Sequence, residues 1–585
     1  MLPIYILISI FKSACNKVQS FDLQVKFINT LSLVNKEFRD RIVPSVTNIK
    51  ASINYKKSLT LYSKVANRTS RLTLNLYTEE GVMDFIQHKD SLCQYITEIY
   101  TYQITLSSKY NKIYNGVYNR LKSIYIMVSG YCGEAKIPND FPLVQSIENV
   151  TCTFNQIIQQ TDLDSYFDNL LSKLTNLRVL TLQFSTESKI KFDFSSLLSL
   201  SKTLEELSLY SEINSNDCIQ LFTSMSNLKS LSFTGILMGT YDWSHLFQSL
   251  LLHNQNLENL YLSTYSLFAK LSYPILVSSL NCNKTLKILN TNGLTIVDTT
   301  SIPITNNTLI KIHNQLEEKV YIDWSVKSNI QYISIPHNYT HPEFIQSISN
   351  FHTNLTDLEI IKIHPPELLT VVSTVLKLNM VNLTSLTVKK NLSTVQWEDG
   401  GKALVDALLV NRYIKELKVT LEITGEQLST LLTNHHPSLT SLSITSFKDF
   451  RNFESVIDAL KMNRYLIKFI LIDNPFDNSP KNHLMKLPKY LSLIQSLIET
   501  NYILSYIFIQ EPIPKADIEI FGDEDENNLN SDPTISHEIT PQQLESFSQT
   551  LKSQCYHLNT LNIAQRHSEL RKLIQQYCIE VYSDS

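Results

Sequence analysis

The chain repeats one short pattern of apolar and polar positions along most of its 585 residues. Each copy has an apolar residue at a first position and at three and five positions later, as in Leu177, Leu180 and Leu182. Residues three apart can share a helix face, but a residue five positions on lies about 140° away around the helix. The second and third apolar residues instead follow the two-residue alternation of a strand. Each copy therefore predicts a short strand with one apolar face.

The copies recur at a regular spacing, since their first positions between 177 and 466 lie 21 to 31 residues apart. Apolar stretches such as 402–409, 453–460 and 491–498 lead into the next strand and predict helical returns. Helical connections between successive strands favour a parallel sheet. In the copy that begins at Ile503, the pattern predicts Tyr506 and Phe508 as the core residues of the strand. The copies begin at residues 121, 147, 177, 204, 228, 257, 286, 309, 330, 355, 383, 414, 439, 466, 503 and 558.

This pattern and its period resemble the leucine-rich repeat family, and the longer units resemble its ribonuclease-inhibitor-like class. The resemblance implies an α/β fold, a leucine-rich repeat solenoid of short parallel strands with helical returns. The sequence departs from the family in one respect. The asparagine or cysteine that usually follows the strand pattern is kept only at Asn391 and Asn474. A chain of several unrelated α/β domains is the alternative.

Residues 2–42 do not fit the repeat. A leucine–proline pair opens them, apolar residues at helical spacing follow, and a second amphipathic stretch covers 31–42. This arrangement resembles the F-box, although Asn35 and Phe38 replace the usual cysteine and tryptophan and the middle is longer. The resemblance implies a helical module that binds a Skp-type adaptor, whereas a plain helical cap for the first repeat is the alternative. The expected adaptor-binding residues are Leu2, Pro3, Ile6, Leu7, Ile10, Phe11, Val34 and Phe38.

Composition and charge exclude several classes of protein. Apolar residues make up 43% of the chain and charged residues 18%, which is enough to build a large core. A net charge of −4 provides no broad basic field, so no nucleic acid partner is expected. No apolar run reaches the length of a membrane span, so no membrane partner is expected. The 11 glycines form neither dinucleotide-binding nor P-loop motifs.

The sequence offers no candidate for catalysis, cofactor binding or metal binding. His337 and His341 have the spacing of a helical zinc pair, but the glutamate of that motif is missing and prolines flank the pair. The eight cysteines are scattered without a C-x-x-C pair, which favours reduced thiols. The apolar run 4–11 has no preceding positive charge, unlike a signal peptide. We therefore expect a non-enzymatic cytoplasmic protein, with the nucleus as a second location.

The residues between the apolar strand positions should form an exposed face, because side chains alternate along a strand. In early and middle copies this face is polar, and in late copies it becomes apolar. The apolar part either binds a partner or is covered by residues 510–555. The expected substrate-binding residues are Glu206, Tyr210, Tyr261, Asp357, Glu359, Glu416, Lys418, Ile470, Ile472 and Ile507.

These observations predict an F-box-like helical module at 1–46, an entry to the repeats with faint copies of the pattern at 47–120, and the solenoid at 121–509. An acidic insertion at 510–555 and a last repeat with its cap at 556–585 follow. The family resemblances imply the substrate-recognition subunit of a cullin–RING ubiquitin ligase, with a Skp-type adaptor, a cullin complex and a protein substrate as partners. The alternative is a non-enzymatic repeat scaffold whose N-terminus only caps the solenoid.

Overall fold

A computed structural model of the chain divides into two compact units, Met1–Thr300 and Ser301–Ser585. The predicted adaptor-binding residues and the predicted boundary at 46 lie outside the residues that it describes, as do His337, His341 and 510–538. The described residues are 30, 36, 48–52, 71–76, 96–102, 121–128, 146–154, 170–184, 195–198, 200–298, 300, 302–313, 319–335, 342–363, 366–390, 400–420, 423–434, 436–447, 452–473, 487–509, 539–554, 558, 560–563, 570 and 572–574.

In the first unit, ten described strands form one parallel sheet in chain order. Two further strands pair with each other in a separate parallel ribbon. The sheet strands are β1 (Asn48–Ser52), β2 (Arg71–Leu76), β3 (Ile96–Tyr102), β4 (Ser123–Val128), β5 (Asn149–Phe154), β6 (Val179–Phe184), β7 (Glu206–Asn214), β8 (Ser230–Met238), β9 (Asn259–Ser263) and β11 (Ile288–Asn290), and the ribbon is β10 (Lys270–Ser272) with β12 (Thr295–Val297). The helices are α1 (Ser195–Leu198), α2 (Ser215–Ser224), α3 (Ser244–His253) and α4 (Tyr273–Cys282), with a 3-10 turn at Leu171–Lys173.

The second unit has nine described strands, again parallel and in chain order. They are β13 (Lys311–His313), β14 (Tyr332–Ile335), β15 (Asp357–Ile363), β16 (Ser385–Lys390), β17 (Glu416–Thr420), β18 (Ser441–Phe447), β19 (Lys468–Asp473), β20 (Tyr506–Ile509) and β21 (Thr560–Ile563). The helices are α5 (Lys319–Ile322), α6 (Pro342–Asn350), α7 (Pro366–Lys377), α8 (Gly400–Val410), α9 (Gly425–Thr433), α10 (Phe453–Met462), α11 (Leu487–Thr500) and α12 (Pro541–Gln554).

The core of each unit lies between the apolar strand face and the helical returns. In β7, Leu207 and Leu209 are buried while Glu206 is exposed, and the same alternation recurs from β4 to β9. Helix α2 buries Leu221 and Phe222 behind these strands. The predicted α/β fold, a parallel sheet of leucine-rich repeat type with helical returns, is confirmed. The period of about 25 residues thus corresponds to one strand and one return.

The predicted register of β20 is wrong by one residue. Leu504 is buried and Ile503 is exposed, so the copy begins at Leu504. Ile507 and Ile509 pair with the core residues Phe469 and Leu471 of β19. A shift of one residue moves every side chain of a strand to the opposite face. Ile507 therefore belongs to the core and cannot bind a substrate on the exposed face.

Buried asparagines at the ends of the helical returns fix the entry into many strands, and sequence reasoning missed them. Each lies three residues before the first apolar residue of a copy. Asn463 donates from Nδ2 to the Leu432 carbonyl of the preceding repeat, and its Oδ1 accepts from the amides of Tyr465 and Leu466. One side chain thereby closes its own turn and joins it to the repeat before. The residues with this double role are Asn283, Asn411, Asn463 and Asn501.

Histidine replaces asparagine at this position in two buried examples, His352 and His436, and His352 is the more deeply buried. Its Nδ1 lies 2.8 Å from the Ser328 hydroxyl, and its Nε2 lies 2.8 Å from the Tyr321 carbonyl oxygen. Because a carbonyl can only accept, Nε2 carries the proton of the neutral ring. Burial lowers the pKa of His352 from 6.5 to about 4.

This pKa makes folding stability dependent on pH. The unfolded chain takes up a proton on His352 near pH 6.5 and the folded chain only near 4, so stability falls as the pH drops through that window. We expect His352 to contribute a loss of about 2 kcal/mol in the free energy of unfolding between pH 7 and pH 5. Urea denaturation at the two pH values measures it, with His352→Asn as the matched control. An equal loss in this variant would contradict the assignment.

A row of alternating charges crosses the first unit, and it too was missed. Each charged residue directly follows the first apolar residue of its copy, in the order Lys122, Glu148, Arg178, Glu205, Lys229, Glu258 and Lys287. Arg178 and Lys229 lie 2.7 Å and 2.9 Å from the Glu205 carboxylate, and their hydrogen bonds lower its pKa. Exposed pairs of this kind contribute little stability. Their alternation instead disfavours a slipped pairing of repeats, which would bring like charges together.

Candidate protein-binding site

The outward strand face of the second unit holds a hydrogen-bonded cluster around Glu359. Tyr332 donates its hydroxyl hydrogen to one carboxylate oxygen, and Lys389 donates to the other at 2.6 Å. Burial alone would raise the pKa of Glu359, but the hydrogen bonds from Lys389 and Tyr332 outweigh it and lower the pKa overall. Burial and the contact with Glu359 raise the pKa of the Tyr332 hydroxyl. The carboxylate is therefore held charged in a fixed position.

Two further side chains from β13 surround Tyr332. The Lys311 Nζ lies 5.9 Å from the centre of the Tyr332 ring, and the His313 ring lies 4.6 Å from it. Burial and, to a smaller extent, the positive charge of Lys311 lower the pKa of His313. This imidazole therefore stays neutral near pH 7. The cluster presents hydrogen-bonding groups and aromatic surface on one face.

The outward face of the second unit becomes apolar toward β19 and β20. Ile470 and Ile472 face outward and are half-buried, and Ile470 pairs with Phe508 of β20. On β20 the outward position is held by Phe508, in place of the predicted Ile507, and the Phe508 side chain is itself buried. The Lys468 Nζ lies 4.7 Å from the centre of the Tyr506 ring at the edge of this region. The face thus combines charged and apolar regions on neighbouring strands.

The predicted polar residues lie on the outward strand face of the unit to which each belongs. In the second unit, Asp357 of β15 pairs with Ser385 of β16, which in turn pairs with Glu416 of β17. One step further along the same face, Glu359 pairs with Thr387, which pairs with Lys418. Lys418 also forms an ion pair with Glu416 at 3.1 Å. In the first unit, Glu206 and Tyr210 lie on β7, and Tyr261 lies on β9. All of these residues have exposed or half-buried side chains.

The first unit also exposes apolar side chains that sequence reasoning missed. Strands β7 and β8 each have nine residues, so the outward face extends through Ile236 to Met238. The loops that follow β8 and β9 expose Tyr241, Tyr265, Leu267 and Phe268. No periodic pattern marks these loops, although the Tyr-x-Leu-Phe sequence from 265 to 268 lies directly after a strand.

Within the described ranges, no group of three or more His, Cys, Asp or Glu side chains could hold a metal ion. Among the described helices, none is long and apolar enough to cross a bilayer. The chemistry available on both outward faces is hydrogen bonding, charge pairing and apolar contact, which is the chemistry of protein recognition.

No family model matches the chain, and no curated protein matches it. Among solved structures, a chain from the crystal structure of the yeast Rad7 and Elc1 complex is 17% identical to this one. The match covers 81% of this chain and 90% of that chain, with a TM-score of 0.30. A likeness of this size is too weak to transfer a function.

Proposed function

We propose that this protein is the substrate-recognition subunit of a cullin–RING ubiquitin ligase. In this role residues 2–42 bind a Skp-type adaptor, and the outward strand faces bind a protein substrate. The observation that carries the substrate-binding part is the second unit's face, where the fixed Glu359 carboxylate and the half-buried, outward Ile470 and Ile472 lie on one sheet. The adaptor-binding part is supported by the F-box-like sequence of residues 2–42.

The proposed contribution to the reaction is proximity. Holding a substrate beside a ubiquitin-charged enzyme raises the effective concentration of the reacting groups without a covalent step on the receptor. The protein is then no enzyme itself and needs no cofactor. It would act in the cytoplasm or the nucleus.

A second candidate function is a non-enzymatic scaffold whose N-terminus caps the first repeat. Terminal caps are a general requirement of solenoids, and a cap needs only an amphipathic helix. The two functions differ in one observable property, the binding of a Skp-type adaptor by residues 2–42.

Replacing Leu7 and Phe11 with aspartate together should abolish adaptor binding, because a charge at each position opposes the burial of an apolar contact. We expect the full-length protein to retain a purified Skp-type adaptor in a pull-down and the double variant to lose it. The matched control is Val410→Asp with Met462→Asp, since both side chains are exposed on helices of the second unit. If the folded wild-type chain retains no adaptor, the scaffold function replaces the ligase function.

A further inference from the structure

The loops after β8 and β9 carry the most exposed apolar side chains in the described part of the chain. Leu267, Tyr265 and Phe268 are 90%, 67% and 65% exposed. The ring centres of Tyr241 and Phe268 lie 5.7 Å apart in an edge-to-face contact. We define the aromatic loop patch as Met238, Tyr241, Tyr265, Leu267 and Phe268. Contiguous exposed apolar groups of this kind are uncommon on monomeric proteins and mark interaction sites.

The backbone that carries the aromatic loop patch is held by hydrogen bonds. The Lys270 amide donates to the Tyr241 carbonyl at 2.7 Å, and the Trp243 amide donates to the Lys270 carbonyl at 2.8 Å. The Thr264 amide donates to the Asn292 carbonyl at 3.1 Å. The buried Trp243 ring stacks 5.4 Å from the ring of Phe233. Since the loops are preorganised, binding through them requires little further ordering of the backbone.

The aromatic loop patch continues into the outward strand face of the first unit. Glu212 pairs with Ile236, and Met238 is the next outward residue on β8. Tyr210, two residues before Glu212 on the same side of β7, pairs with Thr234. The outward positions of β7 and β8 therefore lead from the predicted Tyr210 through Glu212 and Ile236 to Met238, after which the exposed loop begins.

The charges on this face have one sign. Of the outward positions of strands β4 to β9 and β11, only Glu206 and Glu212 carry a charge, and none is a lysine or arginine. Near the loops, Asp242 and Lys270 offset each other. An anionic membrane would require basic residues around the apolar tips. The carboxylates instead complement a basic partner.

We propose that the aromatic loop patch together with Glu212 binds a protein segment in which a lysine or arginine lies beside leucine- or phenylalanine-like residues. The apolar side chains of the segment contact Tyr265, Leu267 and Phe268, and its cation pairs with Glu212. This inference rests on the proposed function, because it names the class of substrate segment that the receptor binds. It uses a different part of the chain from the adaptor-binding residues, so the two can be tested separately.

The test is a selection of random phage-displayed peptides on the immobilised full-length protein. We expect the enriched peptides to combine Lys or Arg with Leu, Ile, Phe or Met. The combined variant Leu267→Ser with Phe268→Ser should weaken binding of a selected synthetic peptide by about tenfold or more. Glu212→Gln should weaken it less, and only for peptides that keep their basic residue. Leu252→Ser is the matched control, because Leu252 is an exposed apolar residue on α3 of the same unit.

The inference is overturned if the selection enriches no peptide, if the enriched peptides lack basic residues, or if the Leu267 and Phe268 variant binds like the control. It is also overturned if the wild type, but not this variant, binds vesicles of phosphatidylcholine and phosphatidylserine, because the patch would then be a membrane contact. The Leu7→Asp and Phe11→Asp variant should keep its peptide affinity. A wild-type chain that binds the peptide but retains no adaptor would therefore count only against the ligase function.

Discussion

Replacing Asn463 with alanine is expected to lower the free energy of unfolding by about 3 kcal/mol. The side chain is buried and makes three hydrogen bonds, to the Leu432 carbonyl and from the amides of Tyr465 and Leu466. Alanine leaves all three backbone groups without their partner at a site that excludes water. A buried group without a hydrogen bond costs more than the net gain of a typical hydrogen bond, so the losses accumulate.

The control for this variant is Asn434→Ala. Asn434 is exposed, and its Nδ2 bonds only to the Thr430 carbonyl one helical turn before it. Water can replace that bond, so we expect a change within about 0.5 kcal/mol. Chemical denaturation followed by circular dichroism measures both variants. Equal losses would mean that the buried asparagines do not join the repeats.

Gly235→Ala is expected to destabilise the first unit by about 3 kcal/mol, because it overpacks a closed site. A Cβ atom at Gly235 would lie 1.8 Å from the Ser211 carbonyl oxygen, and the backbone of β7 would have to move. Ser211 directly precedes Glu212, so the same displacement should also weaken peptide binding at the aromatic loop patch. Thermal denaturation and the peptide-binding assay measure the two effects.

The matched control is Gly239→Ala, four residues further along the chain. Gly239 has a φ of +89°, but nothing lies within 4 Å of the Cβ position. Only the backbone conformation opposes the substitution, which costs about 1 to 2 kcal/mol. If Gly235→Ala proves no more destabilising than Gly239→Ala, the close approach of the two strands is not what requires glycine at 235.

The sequence predicted the sheet well where leucines stand apart from other apolar residues. In the first half of β7, Leu207 and Leu209 alternate with Glu206 and Ser208, and this alternation decides the face. The pattern failed at β20 because Tyr506, Ile507, Phe508 and Ile509 are all apolar or aromatic, so alternation gave no answer. Asn501, three residues before Leu504, would have settled the register.

The candidate sites were predictable only in part. Alternation placed Glu359 and Lys418 on the outward face, since that depends on strand register alone. It could not show that Tyr332 and Lys389 hold the Glu359 carboxylate, because those contacts join different repeats. The exposed Leu267 and Phe268 lie in a loop, where no periodicity relates sequence to burial.

The central claim is that one chain binds an adaptor through residues 2–42 and a protein segment on its repeats. Size-exclusion chromatography with light scattering, on the full-length protein mixed with a Skp-type adaptor and a labelled selected peptide, tests it most directly. We predict a single complex that contains the adaptor and the peptide together, with the adaptor lost from the Leu7→Asp and Phe11→Asp variant while the peptide remains. A folded chain that binds no adaptor, or whose adaptor displaces the peptide, would contradict the account.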